Sequence, residues 1–207
     1  MSKFPEPPDG ATLVGIPAVW KHLAAGMRLW RIYFKGGSHP TFWNSFRGFG
    51  PTRGRFDHQL PPPRLQERSI LYAAEHGPTT MAEVFQDFRI IDRTAGAPWL
   101  VGFDLLDDLQ LLDLSGTWPT RAGASMALSS GPRPRAQRWS RAIYDAYRDA
   151  HGVYYPSSMH GNRPSVALYE RAQTALPKAP IFHRPLVDPA LLSVLSRVAS
   201  QIGYGLV

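Results

Sequence analysis

Arg28-Leu29-Trp30-Arg31-Ile32-Tyr33-Phe34 reads as a β-strand. Aromatic and branched residues fill it, and these fit a pleated surface. With a two-residue period, Leu29, Arg31 and Tyr33 share one face, and Trp30, Ile32 and Phe34 share the other. Before this strand, residues 17–25 predict a short helix ending at Gly26. After it, residues 35–68 are rich in Gly, Pro and Arg and read as loops around short strands. Residues 69–74 are a second strand candidate.

Residues 79–88 predict a helix, in which Thr80 and Glu83 have capping-box spacing. Met81, Val84, Phe85 and Phe88 give it an apolar stripe. Residues 99–106 and 109–114 predict two strands joined by an acidic turn, and residues 118–128 a short helix. The clearest helix is 134–150, with Trp139, Ile143 and Tyr147 at intervals of four. His151-Gly152 is expected to close it, glycine taking a left-handed cap. Short strands follow at 153–155, 166–169 and 181–183. Asp188 then caps a final helix with Pro189 at its first position and apolar residues Leu191, Leu192, Leu195, Val198 and Ile202. Strands and helices do not alternate regularly, which argues against a doubly wound parallel sheet and for an α+β fold.

The chain has 207 residues, 43% hydrophobic and 19% charged, which suits one globular core. Cysteine is absent, which excludes disulfides and thiolate metal sites. Residues 1–10 are polar and proline-rich, unlike a signal peptide, and no stretch has the roughly 18–20 apolar residues a membrane helix needs. A cytoplasmic protein without membrane contact is therefore expected. The net charge of +7 suits nucleic acid, an acidic partner protein or a phosphate-bearing ligand. It is uneven: residues 28–64 carry Arg28, Arg31, Lys35, Arg47, Arg53, Arg55 and Arg64 against Asp57 alone. Residues 104–113 carry Asp104, Asp107, Asp108 and Asp113 without a base.

Several motifs are missing. The seven histidines include no pair at metal-ligand spacing, so no metal is expected. Gly48, Gly50 and Gly54 do not form the dinucleotide fingerprint. There is no phosphate-cradling Gly-Lys-Ser/Thr loop and no nucleophile elbow. Neither a helix-turn-helix nor a zinc finger supports direct reading of DNA.

Three places stand out together: Trp30-Arg31-Ile32-Tyr33; Ala82-Glu83, about ten residues after Ile70-Leu71-Tyr72-Ala73; and Gly152-Val153-Tyr154-Tyr155-Pro156-Ser157-Ser158, followed by Gly161-Asn162 and Val166-Ala167-Leu168-Tyr169. Their order and flanks resemble the RES domain, named for an arginine, a glutamate and a serine. The resemblance covers roughly residues 27–172 and puts Arg31, Glu83 and Ser157 in the eponymous places. Arg55 in Gly54-Arg55-Phe56 resembles the arginine of the family's Gly-Arg-aromatic segment, and Tyr72 the tyrosine of the strand before the glutamate. Met159 departs from the family, whose members often have arginine there; Arg163 is a candidate substitute. The expected layout is an extension at 1–26, the RES domain at 27–175, and a strand and helix at 176–207 packed on the same domain.

The resemblance implies an ADP-ribosyltransferase-like fold, a compact mixed sheet or split β core with flanking helices and a cleft for NAD. It further implies an enzyme acting on NAD as substrate, as a glycohydrolase, a phosphorylase or an ADP-ribosyltransferase. A toxin paired with an Xre-type helix-turn-helix antitoxin is also implied, and a homo-oligomer stays open. Arginine suits the diphosphate because its planar fork donates paired, charge-assisted hydrogen bonds; Arg31 and Arg55 are the candidates. Glu83 would stabilise the oxocarbenium-like ribose left when nicotinamide departs. Ser157 would bond the nicotinamide ribose or orient the ligand, and Tyr33 or Tyr72 would stack on nicotinamide. Each residue also has a plainer role: Glu83 in a capping box, Arg31 in a salt bridge, Ser157 in a turn, Tyr33 and Tyr72 in the core, and the arginines of 133–148 on a solvated helix face. Two other functions fit the same chain. One is a basic nucleic-acid-binding module using Trp30, Tyr33, Phe42, Trp43 and Phe46; the other is a catalytically dead relative that binds a partner.

Overall fold

The computed structural model describes residues 3–207. In chain order its elements are α1 (Gly10–Val14), β1 (Trp20–Leu23), β2 (Arg28–Phe34), β3 (Arg47–Gly50), β4 (Arg64–Ala74), α2 (Gly77–Val84), β5 (Ile90–Ile91), β6 (Pro98–Asp104), β7 (Leu109–Asp113), α3 (Trp118–Arg121), α4 (Ala127–Ser130), α5 (Arg133–Ala146), β8 (Gly152–Pro156), β9 (Pro164–Tyr169), β10 (Phe182–Pro185), α6 (Leu192–Ile202) and β11 (Gly205–Leu206). The main sheet runs β1-β7-β8-β9-β4-β2-β6-β10, with β3 added on β4. Only β7 and β8 are parallel neighbours within it. This is the α+β class expected from the sequence.

The sheet is split at its middle. β2 and β6 stay in register from Arg28↔Asp104 to Phe34↔Pro98. By contrast, β2 and β4 share the single register pair Trp30↔Ala74. Beyond that pair the two strands diverge. α2 follows β4 directly, and the Thr80 hydroxyl donates to the Trp30 carbonyl at 3.0 Å. The helix is thus pinned to the point where the split begins.

Alternation along the strands buries both sides of the sheet. On β9, Ala167 and Tyr169 join a cluster with Leu13, Trp118 and Trp139, under α1, α3 and α5. Val166 and Leu168 join Leu29, Leu71 and Phe103 in a second cluster. A third packs Ile32 and Leu100 against Met81 of α2 and Leu195 and Val198 of α6. Asp188 accepts from the Ala190 amide at 2.9 Å, so the predicted start of the last helical segment is as read.

Four local expectations are corrected. Within residues 17–25 there is no helix: Trp20–Leu23 pairs antiparallel with β7, where ladder pairing outweighs weak helix propensity. The helix predicted at 79–88 runs instead from Gly77 to Val84 without a capping box. Its Thr80 hydroxyl goes to Trp30, its Glu83 carboxylate is bonded by Ser157, and Phe88 is exposed beyond its end. The two strands expected at 99–106 and 109–114 are present as β6 and β7, joined in sequence but far apart in the sheet order. The long helix ends at Ala146, because Tyr147 turns inward to donate to the Leu13 and Ile16 carbonyls, both at 2.9 Å.

Gly152 is no helix cap either; it opens β8. A Cβ there would stand 2.3 Å from the Ala167 carbonyl oxygen, so the residue is glycine to let β9 approach. Gly152→Ala is therefore expected to destabilise the protein by about 1–3 kcal/mol, the usual cost of overpacking. Gly10→Ala, in open space, serves as the control in denaturant unfolding.

Candidate functional site

A cavity of about 350 Å³ occupies the split, within the size range of small-molecule sites. Consecutive residues of β2, Arg31 to Phe34, all touch it, which a strand permits only beside a gap. Tyr72, Ala73 and Ala74 of β4 line the opposite side, and Thr80, Glu83 and Val84 of α2 close one end.

Charge dominates this cavity. Arg31, Arg47, Arg53, Arg55 and Arg133 line it against one acidic residue, Glu83. Arg47 is neutralised from behind: it bonds Asp57 at 2.6 Å, and Asp57 is fully buried. Arg133 donates to Gln86 at 2.9 Å and lies 3.7 Å from Asp87. Arg31 has no such partner. Its guanidinium donates to the Ser45 carbonyl at 3.2 Å, and among the described residues no carboxylate lies within 4.0 Å of it. Burial lowers the Arg31 pKa to about 10, the Arg47 charge adds to this, and Tyr33 opposes it. Arg55 is held by the Gly131 carbonyl at 2.6 Å and also lacks a carboxylate within 4.0 Å. Burial and then Arg133 depress its pKa, while Glu83 opposes that. Partly desolvated cations without counter-ions carry a cost that an anion in the site would offset.

A buried network presents Arg55. Asp57 accepts from the Thr52 amide at 2.7 Å, from the Tyr72 hydroxyl at 2.9 Å and from Arg47. Tyr72 in turn accepts from the Phe56 amide at 3.0 Å. Its hydroxyl is thus committed to the 52–57 loop, and the residue also lines the cavity. A Cβ on Gly54 would fall 2.1 Å from Asp57 and 2.6 Å from Tyr72, so only glycine lets this loop close.

Glu83 projects from α2 into the cavity and is fixed by Ser157, whose hydroxyl donates to its carboxylate. The Ser157 oxygen accepts from the Met159 and His160 amides, each at 3.1 Å. One donor and two acceptor positions are thereby used, and Ser157 is fully buried. Burial raises the Glu83 pKa, against the Ser157 hydrogen bond and the nearby charges of Arg55 and Arg133.

Of the residues singled out from sequence, Arg31, Tyr33, Arg55, Tyr72 and Glu83 line one cavity. Ser157 stands behind Glu83 and reaches the cavity through it. Met159 packs into the apolar cluster around Ile32 and Met81. Arg163 does not replace the family's arginine at the cavity: it lines a separate hollow with His76, Pro78, His160 and Gln201. The extra cations are Arg47, Arg53 and Arg133. The basic excess of 28–64 signals the first two, whereas Arg133, read as part of a solvated helix face, carries no local signal. The aromatics offered as a nucleic-acid platform are mostly spent on packing. Tyr33 is buried, Trp30, Trp43 and Phe46 pack against core clusters, and only Phe42 is exposed. Among the described residues no group of three His, Asp or Glu is placed to hold a metal, and no helix is long and apolar enough to cross a membrane.

The fold and cavity define a mixed α+β protein with an arginine-lined cleft in a split sheet. The sequence model of the RES domain matches residues 28–188, so this chain belongs to the RES domain family. It is similar in fold to a chain in the crystal structure of the M. tuberculosis MbcT–MbcA toxin–antitoxin complex. That similarity has a TM-score of 0.58 at 16% identity and covers 93% of this chain and 98% of the other. No curated protein matches the chain significantly.

The position of Glu83 has a stability consequence. A raised pKa means the folded state holds this proton more tightly than the unfolded chain does. The associated stability is present below the ordinary value of 4.5 and is lost as pH rises through the folded value. Glu83→Gln removes that loss. The variant should melt a few degrees above wild type near neutral pH, about 1 kcal/mol being worth roughly 2–4 °C in a chain of this size. The gap should close towards about pH 4.

Proposed function

We propose that this protein cleaves the nicotinamide–ribose bond of NAD and acts as the toxin of a toxin–antitoxin pair. The carrying observation is the cavity itself: Arg31 and Arg55, both without a carboxylate partner, share it with a single positioned carboxylate, Glu83. Two arginine forks suit a diphosphate. One carboxylate suits the positive charge that builds on a ribose as its glycosidic bond breaks.

In this reading the C–N bond breaks with its electron pair going to the nicotinamide ring nitrogen. The ring leaves neutral, so neither an acid nor a metal is needed for departure. Glu83, held by Ser157, faces the ribose and stabilises the oxocarbenium-like state. Ser157 is a positioning residue. Arg31 and Arg55 bind the diphosphate, and the ring of Tyr33 or Tyr72 packs on the ligand. Water at the ribose carbon gives ADP-ribose and a proton; inorganic phosphate gives the ribose 1-phosphate ester. Residues 27–175 carry this unit, 1–26 extend it, and 176–207 pack on it.

The partner belongs to the same proposal. The similar M. tuberculosis structure is a toxin–antitoxin complex, and the family resemblance points to an antitoxin of Xre helix-turn-helix type. NAD and such a partner would both be met in the cytoplasm.

Purified protein is expected to release nicotinamide from NAD, and Glu83→Ala to lower that rate by about 10²–10³-fold while remaining folded. Acceleration by added phosphate marks a phosphorylase. Labelled ADP-ribose on a protein marks a transferase instead. No nicotinamide release with any of these acceptors would sink the proposal.

A further inference from the structure

Beside the Arg31 side of the cavity lies a titratable pair, Tyr33 and His183, whose protons the cleavage chemistry does not use. The Tyr33 hydroxyl is 2.5 Å from His183 Nε2. Register explains the meeting. Arg31 lies opposite Val101 of β6, and Val101 lies opposite His183 of β10. His183 therefore stands on the face of the sheet that carries Arg31 and Tyr33. Its ring packs on Tyr33 at 5.7 Å and on Trp99 at 4.7 Å. Tyr33 lines the cavity although it is only 2% exposed.

We propose that His183 is a positioning residue for the diphosphate: its protonation turns the Tyr33 hydroxyl from an acceptor-facing to a donor-facing group in the cavity, and so couples anion binding to proton uptake. This rests on the part of the preceding proposal that places a diphosphate beside Arg31. With Nε2 unprotonated, the phenol donates to it and turns a lone pair towards the cavity. With the imidazolium, Nε2–H donates to the phenol oxygen, and the phenol hydrogen is free for an oxyanion.

The surrounding charges favour such a coupling. Burial lowers the His183 pKa and the Lys35 ammonium lowers it further, so the empty site holds a neutral imidazole at neutral pH. Lys35 sits 3.5 Å over the ring of Trp99, the residue that His183 also packs against. From β2 the charged group on this face is Arg31; from β6 the neighbours Trp99 and Val101 are neutral. Next to His183 on β10, Arg184 is paired with Asp188 at 2.7 Å. A bound diphosphate adds the negative charge that this cluster lacks. Burial also raises the Tyr33 pKa, against the Arg31 charge, so the phenol keeps its proton.

The test uses ADP-ribose, whose diphosphate keeps a fixed charge across the range, in calorimetric titrations from about pH 5.5 to about pH 8.5. Wild-type affinity is expected to rise as pH falls, by up to about tenfold for each unit by which binding raises the His183 pKa. His183→Gln keeps a hydrogen bond to Tyr33 but cannot titrate. It should bind within about threefold of wild type at high pH and fall progressively behind wild type as pH is lowered. Protonation of Glu83 also favours an anion, but it is common to both proteins and cancels in the comparison. A second measurement needs no variant: the His183 imidazole, followed by NMR in the wild-type chain, should titrate at a higher pH with ADP-ribose bound. A wild-type slope retained in His183→Gln, an unmoved His183 titration, or no ADP-ribose binding overturns the inference. Cleavage is scored separately. NAD turnover with an unmoved His183 sinks this inference alone, whereas coupled ADP-ribose binding without turnover sinks the cleavage proposal alone.

Discussion

A partly buried guanidinium with no carboxylate to meet it among the described residues is the feature around which the cleft is organised. Taking a charge out of water costs several kcal/mol even after relaxation. Arg31, partly buried, bears a share of that cost with one hydrogen bond donated to the Ser45 carbonyl, and with the Arg47 charge acting against it. Nothing in the packing of β2 demands an arginine there; the strand's anchors are Leu29 and Ile32. The position makes physical sense when a ligand supplies the missing charge. Buried, perturbed groups in a cleft are where binding and catalysis concentrate.

The rest of the fold serves to hold that cleft open. β2 and β4 would close it if their ladder continued past Trp30↔Ala74. Three arrangements keep them apart. α2 is tied to the Trp30 carbonyl through Thr80. The 52–57 loop is clamped on Asp57 and Tyr72, and Gly54 alone permits its approach. β6 holds the full length of β2 on its other edge. The opposing carboxylate is set with similar care, since every hydrogen-bonding position of the Ser157 hydroxyl is taken. Preorganised groups of this kind do their work without rearranging when charge develops.

What could be read from the chain followed from local physics. β2 was legible from its two-residue period, and the last helical segment from Asp188 and Pro189, because each signal lies within one element. The α+β class followed from irregular mixing of strands and helices. β1 is not legible in the sequence, because its four residues take their conformation from β7, some ninety positions away. Thr80 and Glu83 have true capping-box spacing, yet both side chains found distant partners instead. Arg133 reaches the cavity from the start of α5, which no spacing rule connects to β2. The RES family resemblance brought Arg31, Glu83 and Ser157 together, but not the order of contact. That Ser157 stands behind Glu83 depends on how the 157–160 turn folds back on its hydroxyl.

Replacing the unpaired cation by an apolar residue of similar length tests this account most directly. Thermal unfolding of wild type and Arg31→Met would be followed with and without ADP-ribose. If Arg31 is held for an anion, the free variant melts at or above the wild-type temperature, and ADP-ribose no longer raises it as mass action requires of a bound ligand. If the variant instead melts several degrees lower and ADP-ribose stabilises it as it does wild type, Arg31 is structural and the account is wrong.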